Sequence, residues 1–178
     1  MKSTLFKALA IIMGMVMSFS LVSCGDDDDN NEPDDPKAVT YYDVKYVTDL
    51  DEDWFDFFDV TITYVNVAGK VTTEPIEMNK DLTAKIESDM APNTINFKIH
   101  VARKASIPTV DPDQPYHFSG KAQLWFQSYL KDSTKGDCGG DLTPVNTRGT
   151  TISGKDMEKF LERYNNADIF DHSVELKK

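Results

Sequence analysis

The chain has 178 residues, with 30 Asp plus Glu against 19 Lys plus Arg, a formal charge of −11 and two cysteines. No basic patch of the kind that phosphate contact needs is visible, which argues against nucleic acid as a partner and against direct electrostatic adhesion to anionic lipid. With Cys24 and Cys138 as the only thiols, and with no Gly-rich phosphate loop or metal-ligand spacing, the chain predicts no internal disulfide and no cofactor.

The N-terminal segment carries the most specific signal. Lys2 and Lys7 lead into a run from Ala8 to Val22 that is apolar apart from Gly and Ser, and Ser23 precedes Cys24. A spanning helix needs roughly 20 apolar residues, and here Asp26 to Asp29 stand where a longer span would continue. Leu21, Val22, Ser23 and Cys24 resemble the lipobox of bacterial lipoproteins. The resemblance implies a signal peptide over residues 1–23, cleavage before Cys24, acylation of that cysteine and the membrane as a partner through the lipid anchor. The acidic run after the cysteine resembles the surface-export signal of Bacteroidota lipoproteins, which implies an outer-membrane protein displayed at the cell surface. Residues 24–38 then read as a tether: its like charges repel, Pro33 and Pro36 stiffen it, and it offers nothing apolar to bury. The whole layout is similar to that of small surface lipoproteins of Bacteroidota.

Residues 39–178 suffice for one domain, and hold 23 acids against 16 Lys plus Arg. From Val39 to Val47, Tyr42, Val44 and Tyr46 alternate with Tyr41, Asp43 and Lys45, the period of a half-buried strand. Phe58, Val60, Ile62 and Tyr64 repeat it, and Ala68-Gly69-Lys70 supplies a turn before Val71 to Ile76. Residues 77–93 are mixed, with Leu82 and Ile86 spaced for a short helix. Ile95, Phe97, Ile99 and Val101 form the clearest strand, its polar side led by His100. After a Pro-bearing loop, Phe118, Gly120, Ala122, Leu124 and Phe126 share one face of a long strand. Lys131 to Thr151 reads as an extended loop. Ser153 with Asp156 suits the start of a helix over which Met157, Phe160, Leu161 and Tyr164 form an apolar face. Phe170, His172, Val174 and Leu176 alternate as a final strand, with His172 inward. Five or six strands and one late helix predict a mostly β, antiparallel sandwich, immunoglobulin-like or of a similar arrangement, with one α-helix in the C-terminal region.

Candidate functional residues follow from the alternation. Trp125 and Tyr129 fall on the polar side of their strand, where a ring can stack on a sugar or meet a partner; a helix laid over that face would instead bury them. Trp54 and Phe57 lie in an acidic turn, and Phe57, next to inward Phe58, is expected to point outward. The competing expectation is that the turn's rings fold back onto the core. Asp49, Asp51 and Asp53 are weak candidates for an irregular calcium site; the helical-loop motif fails, because its Gly and Glu places hold Trp54 and Val60. No local sequence diagnostic of a catalytic triad or metalloprotease occurs. The composite expectation is a non-catalytic binding module for glycan or peptide. Its alternatives are an accessory subunit of a larger outer-membrane complex and a hydrolase with an unrecognised acidic site.

Overall fold

A computed structural model describes residues 36–145 and 150–177. Cys24 and the tether up to residue 35 lie outside the described residues. Among the described residues ten strands run in chain order: β1 (Val39–Leu50), β2 (Phe58–Val65), β3 (Val71–Ile76), β4 (Asp81–Glu87), β5 (Thr94–Arg103), β6 (Pro115–His117), β7 (Gly120–Leu130), β8 (Lys135–Pro144), β9 (Thr151–Ser153) and β10 (Ala167–Glu175). Helix α1 (Glu52–Phe57) links β1 to β2, and a 3₁₀ turn (Gly154–Asp156) leads into α2 (Met157–Arg163) before β10.

Two four-stranded antiparallel sheets pack face to face, in the orders β4-β1-β7-β8 and β10-β5-β2-β3, with β6 and β9 as a separate ribbon. The alternation read from the sequence sets the inner faces: Tyr42, Val44 and Tyr46 from β1 meet Ile95, Phe97, Ile99 and Val101 from β5, all at most 1% exposed. Tyr46 bridges the two layers. Its ring packs on Phe97 and Tyr64, and its buried hydroxyl donates to the Val65 carbonyl at 2.9 Å. Burial holds the Tyr46 phenol well above its usual pKa, so it stays a neutral donor. The sandwich class is the expected one, while the strand order is its own: β1 lies inside its sheet, whereas an immunoglobulin sandwich places its first strand at an edge.

Three local expectations are corrected. The Leu82 and Ile86 pair belongs to β4 and not to a short helix, because a spacing of four is even and fits a strand's period as well as a helix's; Ala84, between them, is buried with Ile86. Within the expected Lys131–Thr151 loop, Lys135–Pro144 forms β8, where pairing with the long β7 supplies a backbone ladder that the glycine-rich sequence alone does not favour. The Ser153 and Asp156 capping arrangement is absent: neither side chain caps the helix, and the Ser153 hydroxyl reaches the Pro112 carbonyl at 3.5 Å instead. Among the described residues no helix is long and apolar enough to cross a membrane.

Candidate functional site: an aromatic strip on the outer face of the first sheet

The short helix α1 removes two of the expected ligand-binding residues. Its turn places Trp54 and Phe57 three apart on one buried face, so the strand-based expectation of an outward Phe57 fails for a geometric reason. Trp54 is 0% exposed, packs on Phe58, Phe118, Phe160 and Tyr164, and donates from Nε1 to the Ser119 carbonyl at 3.1 Å. Phe57 is equally buried against Tyr116 and Phe118. Both are core.

The aspartates of the same turn serve the backbone. The Asp51 carboxylate accepts from the Ser119 amide at 2.7 Å and from the Ser119 hydroxyl, while Asp53 accepts from the His117 amide. Asp49 is exposed on β1. Asp51 and Asp53 thus pin the approach to β7 onto α1, and among the described residues no group of three or more His, Cys, Asp or Glu is gathered for a metal ion.

Trp125 and Tyr129 are where the alternation puts them, on the outer face of β7 and half-buried. Helix α2 does not cover them. Its buried residues Met157, Phe160 and Leu161 face the end of the sandwich, with the Phe160 ring tilted against Phe118 at 4.3 Å and packed on Trp54 and Phe58. Register then supplies neighbours that sequence alone does not. Tyr41 of β1 pairs with Tyr129, and their rings stack at 4.7 Å with 13° between planes. On the β4 side, Lys85 Nζ lies 3.8 Å over the Tyr41 ring. One face of Tyr41 is therefore taken by a cation and the other by Tyr129, whose partner on the β8 side is Lys135. Trp125 stands between Lys45 of β1 and Gly140 of β8.

Gly140 has φ +115°, and a Cβ there would lie 2.0 Å from the Leu124 carbonyl oxygen, so the backbone itself requires glycine. Its other effect is that no side chain rises from β8 beside Trp125. One position further, Leu142 faces the same way opposite Gln123 and is 50% exposed. The floor of the strip is held by Gln127, whose side-chain amide donates to the Ser128, Gly136 and Asp137 carbonyls at 3.0, 3.1 and 3.3 Å, bracing β7 against β8 where their register shifts. Cys138, also on β8, is exposed and forms no disulfide. Lys45 pairs with Asp81 at 3.1 Å on the same face. The result is an aromatic strip on a rigid sheet, open on the β8 side, with hydrogen-bonding groups around it.

On the opposite sheet, His100 points outward as expected and shares Asp168 with Lys98, at 2.8 and 3.0 Å. The His100 hydrogen bond, then that of Lys98, holds the Asp168 carboxyl below the usual range. His172 is half-buried beside Phe170. No protein-family model, curated protein or solved structure matches the chain.

Proposed function

We propose that this protein is a lipid-anchored, surface-displayed module that binds glycan, without catalysis, on the outer face of the β4-β1-β7-β8 sheet. The anchor part rests on the Leu21 to Cys24 pattern and the acidic residues that follow it. The binding part rests on one observation: Trp125 and the Tyr41–Tyr129 stack hold half-exposed rings in line on a rigid sheet, with bare backbone at Gly140 beside them. Aromatic rings exposed on a sheet can stack on the apolar faces of pyranoses, and Asp43, Gln123 and Lys45, on the same face, can bond their hydroxyls. The strip is also prepaid in order, because cross-strand pairing fixes Tyr41 and Tyr129 before any ligand arrives.

A protein partner is the second reading. The exposed Leu142 extends the strip with a branched apolar side chain that a sugar does not need, and an accessory subunit would use it. A hydrolytic reading gains no support from the carboxylates whose pKa is displaced. Asp132, Glu158 and Asp168 are all held low, each by a hydrogen bond, whereas a general acid needs a raised value.

Thermal unfolding of the processed chain against a panel of polysaccharides and short peptides tests the proposal, since a ligand that binds only the folded state raises the midpoint by mass action. A rise with a glycan that is abolished in Trp125→Ala, with the free variant's midpoint nearly unchanged, is the expected result. Retention of the shift in that variant moves the site elsewhere.

A further inference from the structure

The sandwich has two unlike ends. At one end lie the start of β1, the β2–β3 turn, the β4–β5 loop, the β7–β8 turn and the last residues after β10. Backbone bonds tie them together: Ser88 donates to Thr40 at 2.9 Å, Lys131 to Ala38 at 3.0 Å and Leu176 to Asn93 at 2.9 Å. Three large apolar side chains stand exposed here, Val67 at 59%, Val71 at 65% and Met90 at 46%. They belong to one tip, since a Cβ on Gly69 would lie 1.9 Å from the Met90 carbonyl, which seats the β2–β3 turn against the β4–β5 loop. Lys37, Lys70, Lys131, Lys135 and Lys177 share this end with Glu87, Asp89, Asp132, Asp137 and Glu175, and the seven acids of residues 26–35 precede it in the chain, so charge does not set this end apart. At the other end Asp49, Asp51, Glu52, Asp53, Asp56 and Asp59 follow one another through the β1–α1–β2 connection, and among the described residues there Met78 alone of the large apolar side chains is strongly exposed.

We infer that the Val67, Val71 and Met90 tip rests on a lipid bilayer, with these apolar side chains in the interfacial region. This rests on the reading that Cys24 carries the anchor. The chain from Cys24 joins the domain at this very end, at Val39, over a path that at full extension is roughly 50 Å. A tethered contact is an intramolecular event at high effective concentration, so a tip too weak to recruit a free protein is enough to orient an anchored one. With this end down, the strands stand upright and the Trp125 face opens sideways, parallel to the membrane plane and unobstructed by it.

Hydrogen exchange tests the inference. The lipidated full chain is reconstituted into vesicles of phosphatidylethanolamine and phosphatidylglycerol, and compared with the Cys24→Ala chain free in solution. Amides of residues 66–70 and 88–91 are expected to exchange about fivefold more slowly on the vesicles, with α1 and α2 unchanged. Val67→Asp combined with Met90→Asp alters only exposed side chains; it is expected to float with the vesicles and lose the slowing. A wild-type chain that floats but exchanges equally at both loops overturns the inference while leaving the anchor standing. Slowing that persists in the double variant, or that appears over β7 and β8 instead, overturns it too, the latter placing a protein contact there. A chain that does not float refutes the anchor reading itself, and the orientation with it.

Discussion

Replacing Trp54 by Ala separates the core assignment of this residue from a ligand-binding one. The side chain is fully enclosed by Phe58, Phe118, Phe160 and Tyr164, with ring centroids 5.3 to 6.0 Å away. Truncation returns about 150–200 Å² of apolar burial to a cavity, which at about 25 cal/mol per Å² comes to about 4–5 kcal/mol. That agrees with the roughly 3–5 kcal/mol found for large-to-small aromatic changes in cores. The Ser119 carbonyl also loses the indole donor 3.1 Å away, worth about 1 kcal/mol more. A domain of this size holds about 5–15 kcal/mol in all, so the variant is marginal. Urea unfolding followed by circular dichroism reads the change: with a slope near 2 kcal/mol per M, the combined loss of about 5–6 kcal/mol lowers the midpoint by roughly 2.5–3 M. Trp54→Phe keeps most of the ring burial and is expected to lose about half as much, with glycan binding unaltered. A midpoint drop below about 0.5 M for Trp54→Ala refutes the aromatic keystone described above.

Two further outcomes follow from the same coordinates. Gly140→Ala forces a side chain into φ +115° and onto the Leu124 carbonyl, so a loss of about 2–3 kcal/mol in the same unfolding assay is expected, against a few tenths for Ala at an unstrained strand position. Asp168 is held below its ordinary pKa of 3.8 by His100 first and Lys98 second, so its contribution to stability is present above that value and is lost as pH falls through the depressed one. Asp168→Asn should therefore lower stability at neutral pH by no more than about 1 kcal/mol, since the pair is solvent-screened, and the difference from wild type should shrink and vanish as acid carries the pH below the depressed pKa; a difference that grows with acid contradicts the sign.

The strands that bury one face were legible because burial imposes a period of two, and Tyr42-Val44-Tyr46 and Ile95-Phe97-Ile99-Val101 satisfy that period and no other. What escaped is instructive in physical terms. β8 has no burial signature: Gly136, Gly139 and Gly140 offer no side chain to alternate, and its ladder comes from β7, distant in register though near in sequence. Leu82 and Ile86 satisfied both periods at once. Phe57 was misplaced because α1 is only six residues long, too short to show a helical repeat, yet long enough to turn Trp54 and Phe57 to the same side. At the candidate site, Trp125 and Tyr129 were visible from alternation alone. Their partners Tyr41, Lys85 and Gly140 were not, because each reaches the strip through cross-strand register, a long-range quantity that no local pattern carries.

Gly140 joins the demands of the fold to those of the strip. On a fully paired sheet, each outward side chain has a cross-strand neighbour on both sides, and those neighbours consume the space beside an aromatic ring. Tyr41 is the case in point: Lys85 and Tyr129 occupy both of its faces. Trp125 has Lys45 on the β1 side, and on the β8 side a residue whose backbone tolerates no Cβ. The backbone conformation that excludes every side chain at 140 therefore keeps one flank of Trp125 open. Under the proposed function, a ligand stacking there would fill the volume that a neighbouring side chain takes elsewhere on the sheet, and would displace solvent without having to move protein. Filling that flank from the protein side separates this from a merely surface-exposed ring. Cys138→Phe, one pleat away on the same strand and on an exposed position, adds a large side chain without touching the strained glycine. The expected outcome is a fold of unchanged cooperativity with glycan affinity reduced about tenfold or more, measured by calorimetric titration. Undiminished affinity in that variant would mean that the open flank of Trp125 is not where the ligand sits.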